Sequence, residues 1–200
     1  MSSEERPRFQ AIGRGQIAAI ATTLERPMHN ATFGAPTSLD SRIVDPGAMS
    51  VDAYLELYRR VGADHLWYSR LVMARDALAA TLADPATVLR ICLEDGVAHG
   101  ILDMDFATPN TCEIKYFGVT PALQGTGAAK ALMETAIAIA AERGVDRLWL
   151  HTNTIDHPRA MAFYRRFGFT PVHQAVEIAD DPRLSGLLPR SAAPQVPIFD

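Results

Sequence analysis

Gln124-Gly125-Thr126-Gly127-Ala128-Ala129-Lys130 sets two glycines, two alanines and a cation directly ahead of an alanine-rich stretch. Glycine costs about 0.8–1 kcal/mol relative to alanine inside a helix, so Gly125 and Gly127 contribute something other than helix stability. The chemistry open to such a run is anion binding. The first turn of a helix leaves about four N–H groups unpaired and carries a partial positive charge. Small side chains leave those groups accessible to a phosphate. Gln124 and Thr126 add side-chain donors, and Lys130 adds a charge. The competing reading is a turn that only redirects the chain and lets the helix pack closely. Two named phosphate loops do not fit. A Walker loop needs Gly-Lys-Ser/Thr, whereas Lys130 stands three residues after Gly127 and precedes Ala131. A dinucleotide fingerprint needs a third small residue where Lys130 stands.

The elements that must position this turn follow from periodicity. Gln16–Glu25 reads as a first strand, followed by a long loop through Gly47. Residues 51–62 place Tyr54, Leu55, Tyr58 and Val61 at helical spacing, and residues 70–84 do the same with Leu71, Ala74, Leu78 and Leu82. Residues 87–106 read as a hairpin turning at Asp95-Gly96, a dipeptide suited to a type I′ turn. Thr111–Thr120 continues as a strand into the glycine turn. Beyond it Ala129, Leu132, Met133, Ala136, Ile137 and Ala140 form an apolar stripe that stops near Gly144. Asp146–Thr152 is a short, nearly continuous apolar run, expected to be buried on both faces. Pro158 opens a further helix whose inner face carries Ala160, Phe163, Tyr164 and Phe167, with Gly168 closing it. Phe169–Ile178 supplies the last strand. The order is that of a mixed α/β domain.

Two hundred residues, 48% of them hydrophobic, fit one domain with a sizeable core. Its expected extent is 16–180, between an N-terminal tail at 1–15 and a Pro-rich segment at 181–200 that reads as a tail or docking arm. Cys92 and Cys112 form no disulfide or zinc framework, and the histidines and acids show no metal-ligand spacing, so no metal is expected. Net charge is −4 with no basic cluster interleaved with aromatics, which removes the footprint of nucleic-acid binding. The charged start and the lack of a long apolar run lead us to expect a cytoplasmic protein with no membrane partner.

A second motif, "HTNTIDHPRAMAFYRRFGFTPV", stands downstream of the turn. With Val119-Thr120-Pro121 ahead of Gln124, Gly127 and Ala129, and with Ala160, Phe163, Tyr164 and Gly168-Phe169, the pattern from about Cys112 to Val172 resembles the GNAT superfamily of acyl-CoA-dependent N-acyltransferases. His157 departs from it, standing where asparagine is usual. The resemblance implies a mixed central sheet, mostly antiparallel, splayed between the strands before and after the glycine-turn helix and flanked by helices. It implies acetyl-CoA as co-substrate, with Phe117, Gly118 and Val119 pairing with the pantetheine arm. Gln124, Gly125, Thr126, Gly127, Ala128, Ala129 and Lys130 would hold the pyrophosphate.

The implied activity is direct acetyl transfer to a primary amine of a small molecule or peptide. The alternative is a non-catalytic acyl-CoA sensor of the same fold, and strand pairing would allow a homodimer. Transfer needs a neutral nucleophile, a stabilised oxyanion and a proton for the departing thiolate. By resemblance Tyr164 supplies that proton and contacts the co-substrate, although its place on an apolar stripe also suits a core residue. His157 either reaches coenzyme A or caps the helix with Asp156. The oxyanion donor is read as the Val119 N–H or a neighbour. Glu113 is the first choice as base, sharing a face with Lys115, Phe117 and Val119 by the period of two. It is otherwise a solvated acid facing Lys115, and Asp103, Asp105 and His151 stay open as bases. By resemblance His65, Trp67 and Tyr68 line the acceptor pocket; alternatively Trp67 and Tyr68 pack the two first helices together.

Overall fold

A computed structural model describes residues 9–29 and 40–200. Residues 1–8 of the expected N-terminal tail and 30–39 of the expected long loop lie outside the described residues. The chain builds β1 (Gln16–Pro27), β2 (Ile43–Val44), α1 (Val51–Gly62), α2 (Arg75–Ala83), β3 (Thr87–Glu94), β4 (Val97–Asp105), β5 (Thr111–Val119), α3 (Ala128–Glu142), β6 (Arg147–Asn153), α4 (Ala160–Arg166) and β7 (Thr170–Asp180). These strands form one open mixed sheet in the order β2-β3-β4-β5-β6-β1-β7, flanked by helices. Every neighbouring pair is antiparallel except β5 with β6.

Local chemistry starts and stops these elements as the sequence suggests. The Ser50 hydroxyl accepts from the Ala53 N–H at 3.2 Å and caps α1. Asp95 and Gly96 take positive φ of 50° and 76° between β3 and β4, as a type I′ turn requires. Two differences are informative. Helix α2 begins at Arg75 rather than near Arg70, because Arg70 turns inward to Asp103. Strand β6 is not buried on both faces: Leu148, Leu150 and Thr152 are buried while His151 is exposed.

The sheet separates two cores. Cys112, Ile114, Leu148 and Leu150 pack with Leu132, Met133 and Ala136 of α3 and Tyr164 of α4. On the other face Ile91 and Ile101 pack with Tyr54, Leu57, Tyr58 and Val61 of α1 and Leu78 of α2. A third cluster lies at the far end. There the segment after Asp180, read from the sequence as a tail or docking arm, lays Leu188, Ala192 and Ala193 against Ile17, Ala19, Leu66 and Ile155. Among the described residues no helix is long and apolar enough to cross a membrane.

Candidate active site

The site begins where two strands part. β5 and β6 pair only over Thr111–Ile114 and Arg147–Leu150; beyond that register they diverge. At the same level β5 carries a bulge, since Asp103 pairs with Tyr116 while Met104 pairs with Ile114, leaving Lys115 extra. A bulge bends its strand and shifts the side-chain alternation by one. Cys112 and Ile114 face α3 before it, and Phe117 and Val119 face α3 after it. Glu113 therefore does not share a face with Phe117 and Val119. It lies with Tyr116 on the α1 side, and the period of two fails because of one added residue.

The Thr120 N–H donates to the His99 carbonyl on β4 at 2.8 Å. Main-chain groups alternate along a strand, so those of Phe117 and Val119 point to the side that β6 has left. At the end of β5 the chain passes through Gly125 and Gly127, whose φ values of 78° and 90° disfavour side chains, and enters α3. A Cβ built on either glycine would meet nothing within 4 Å, so open space lies in front of both. The first bond of the α3 ladder runs from the Ala131 N–H to the Gly127 carbonyl. Among the described residues the amides of Gly125, Gly127, Ala129 and Lys130 donate to no protein acceptor. This array of free donors suits a diphosphate. Thr126 turns its hydroxyl to the Leu123 carbonyl, and Lys130 lies 3.6 Å from Glu134.

The splay and the glycine turn open into one cavity of about 470 Å³. Its walls include Phe117, Gly118, Val119, Gln124, Gly125, Ala129, His157 and Tyr164 of the expected co-substrate residues. Tyr164 is buried among Phe117, Phe163 and Phe169, with ring centroids 5.7–6.1 Å away. Its hydroxyl finds no protein partner among the described residues. Burial, with a smaller push from Asp156, raises its pKa above that of an ordinary phenol, so it is protonated at neutral pH. His157 spends Nδ1 accepting the Arg159 N–H at 3.1 Å, which caps the turn into α4. Burial, His65 and Arg159 keep its pKa below the usual histidine value.

The opposite wall is aromatic. His65, Trp67 and Tyr68 all line the cavity. Trp67 also packs, its ring 5.6 Å from Tyr58 of α1 and 5.3 Å from Tyr116 of β5, so it joins α1 to the sheet rather than the two first helices to each other. Of the other base candidates, Asp103 is buried under the sheet, taking hydrogen bonds from Tyr54 and Arg70 at 2.7 and 2.9 Å. Asp105 caps the turn at Ala107, and neither carboxylate reaches the cavity. Glu113 is buried, bonded to Lys115 Nζ at 2.8 Å and lying 3.6 Å from Nδ1 of His151, which does line the cavity.

Sequence reasoning gave Asp156 only a capping role beside His157. Its carboxylate accepts from the Thr152 hydroxyl at 2.6 Å, the Asn153 N–H at 3.0 Å and the Trp67 indole N–H at 3.4 Å. It thus ties the end of β6 to the aromatic wall. An Asn-x-x-Asp turn directly ahead of a helix was the available signal.

The profile of the acetyltransferase (GNAT) family matches residues 51–169, from the start of α1 to the end of the α4 turn. The chain belongs to this family. A mycothiol acetyltransferase of Beutenbergia cavernae is 30% identical over 164 residues, covering 80% of this chain and 51% of that protein. An uncharacterized N-acetyltransferase of Mycobacterium bovis is 34% identical over 91 residues, covering 46% of this chain and 58% of the relative. The chain thus spans about half the length of the curated relatives it matches. The fold is shared with a GCN5-related N-acetyltransferase of Sphaerobacter thermophilus, at a TM-score of 0.60 and 19% identity, covering 82% of this chain and 52% of that one. A GCN5-related N-acetyltransferase of Kribbella flavida gives 0.54 and 17%, covering 86% and 63%.

Proposed function

We propose that this chain transfers an acetyl group from acetyl-CoA to the primary amine of a small molecule by direct attack. The observation that carries the reading is the continuity of one cavity from Gly125 and Ala129, whose amides are unpaired, along the splayed edge of β5, to the Tyr164 side chain; Thr126, Gly127, Ala128 and Lys130 stand outside its wall. The free amides of Gly125, Gly127, Ala129 and Lys130 hold the pyrophosphate, with Gln124 beside them. The main-chain groups of Phe117 and Val119 pair with the pantetheine arm, and the Val119 N–H stands ready to donate to the oxyanion. Preorganised donors of this kind are worth about 10²–10³ in turnover. As the amine nitrogen bonds to the carbonyl carbon and the carbon–sulfur bond breaks, Tyr164 gives its proton to the thiolate and regains one from solvent. The name of the Beutenbergia cavernae relative supports a small-molecule acceptor.

Two measurements test this. Isothermal calorimetry with coenzyme A should give heat for the wild type and none for Gly127→Val, which places a β-branched side chain at a φ of 90° in the mouth of the amide array. A thiol-release assay over small amines, amino acids, aminoglycosides and peptides should find turnover. Tyr164→Phe should lower kcat by about 10²-fold or more while leaving coenzyme A affinity within a few-fold. Tight binding without turnover on any amine would favour the sensor instead.

A further inference from the structure

Acetyl transfer leaves a proton on the new amide nitrogen, and something on the acceptor side of the cavity must take it. The cavity wall holds several groups able to accept a proton, and the structure occupies most of them. Asp156 already accepts from Thr152, Asn153 and Trp67. Glu177 Oε2 accepts the Asn153 amide at 3.1 Å. His157 Nδ1 is committed to the Arg159 N–H on the α4 side. His151 remains. It is the first residue of β6 beyond the last pair with β5, at the apex of the splay, and its side chain is half-exposed. Directly behind it lies Glu113, whose Oε1 is 3.6 Å from His151 Nδ1 and whose Oε2 is held by Lys115 Nζ at 2.8 Å.

We propose that His151 is the base that accepts the amine proton, and that Glu113 is a positioning residue that fixes the imidazole from behind. The assignment rests on the acetyl-transfer reading above. With Nδ1 turned to the carboxylate, Nε2 is the nitrogen left to receive a proton. The nitrogen–carbon bond forms, the nitrogen's proton passes to Nε2, and the thiolate takes its proton from Tyr164. The charges around the ring agree. His151 is faced by Glu113 and Lys115 on β5, by Glu177 on β7 and by Asp156 beyond β6; Thr23 of β1 pairs with it and His173 stands across Thr23. The adjacent Glu113 carboxylate raises the His151 pKa above its ordinary value, against the opposing effect of burial. For Glu113 burial acts upward, but His151 and Lys115 together outweigh it and hold the carboxylate below its usual range. Glu113 thus stays ionised, a weak proton acceptor but a steady anchor.

The test follows His151 by NMR titration in the wild type and in Glu113→Gln, and measures kcat/KM against pH with the fastest amine of the panel. His151 should titrate above its ordinary value and fall toward that value in Glu113→Gln. Because the base must be neutral, the acid limb of kcat/KM should move to lower pH by the same amount. His151→Asn should lose about 10²-fold in kcat with coenzyme A affinity and melting temperature preserved. A His151 midpoint at or below the ordinary value and unmoved by Glu113→Gln overturns the pair, whether or not any amine reacts. So does full activity in His151→Asn. Failure of every amine to turn over, with the titration as expected, sinks the acetyl-transfer reading and leaves the coupled pair standing.

Discussion

Trp67 lies against Gly62 so closely that a Cβ on the glycine would meet Cε3 at 2.4 Å, Cδ2 at 2.5 Å and the tryptophan's own Cβ at 2.6 Å. Ring and backbone cannot both stay. Gly62 is the last residue of α1, and its missing side chain lets Trp67 pack tilted against Tyr58 and Tyr116 while donating to Asp156. Gly62→Ala forces the indole outward. Overpacking of this kind costs about 1–3 kcal/mol, more than the alanine gains in helix propensity. Urea unfolding should show that loss, and KM for the amine should rise several-fold while coenzyme A affinity holds, since the glycine turn lies on the other wall. An unchanged amine KM in a destabilised Gly62→Ala would make Trp67 packing alone.

At the scale of elements, the segment between α1 and α2 is held by a buried polar knot. Asp103 on β4 accepts from Tyr54 of α1 and from Arg70, whose guanidinium stands 5.1 Å from the Tyr116 ring centroid. Among the described residues Arg70 Nε and Asp103 Oδ1 are buried without a hydrogen-bond partner, so the knot depends on the two bonds to Asp103 Oδ2. Breaking a buried pair by removing one partner costs about 3–5 kcal/mol. Asp103→Ala should lower stability by that order in denaturant unfolding and loosen residues 66–73 in hydrogen exchange. The same knot explains where sequence reading succeeded and failed. Helix α1, the Asp95-Gly96 turn and the glycine turn were legible because caps, period and turn residues act locally. The start of α2 was not, because Arg70 is drawn off the helical path by a carboxylate 33 residues away. The face of Glu113 was not legible either. "TCEIKYFGVT" is strand-forming throughout, and nothing in it marks Lys115 as the bulge that turns Phe117 and Val119 toward α3. That bulge is what separates the Phe117–Val119 face from the face of Glu113.

At the scale of the whole molecule, β1 enters the sheet between β6 and β7, so the first and last strands close one end together. Nothing local in "QIAAIATTLE" specifies that partner; it follows from long-range pairing alone. The residues after Asp180 complete this end. Arg183 is almost wholly buried, pairs with Asp181 at 2.7 Å and donates to the carbonyls of Ala192, Ala193 and Val196. That hub presses the segment onto Leu66 and Ile155, which flank the cavity residues Trp67 and Asp156. The Arg183 hydrogen bonds hold the Asp181 carboxyl below its ordinary pKa, with burial opposing. A depressed carboxylate contributes stability that is present above its unfolded pKa and lost as pH falls through the folded value. The segment should therefore keep its hydrogen-exchange protection at neutral pH and lose it below about pH 4, ahead of β4. Arg183→Met should abolish that protection already at pH 7 and raise KM for the amine by freeing Leu66 and Ile155, with coenzyme A binding unaltered. Protection that survives Arg183→Met would mean that the apolar contacts of Leu188 and Ala192 hold the segment without the ionic hub.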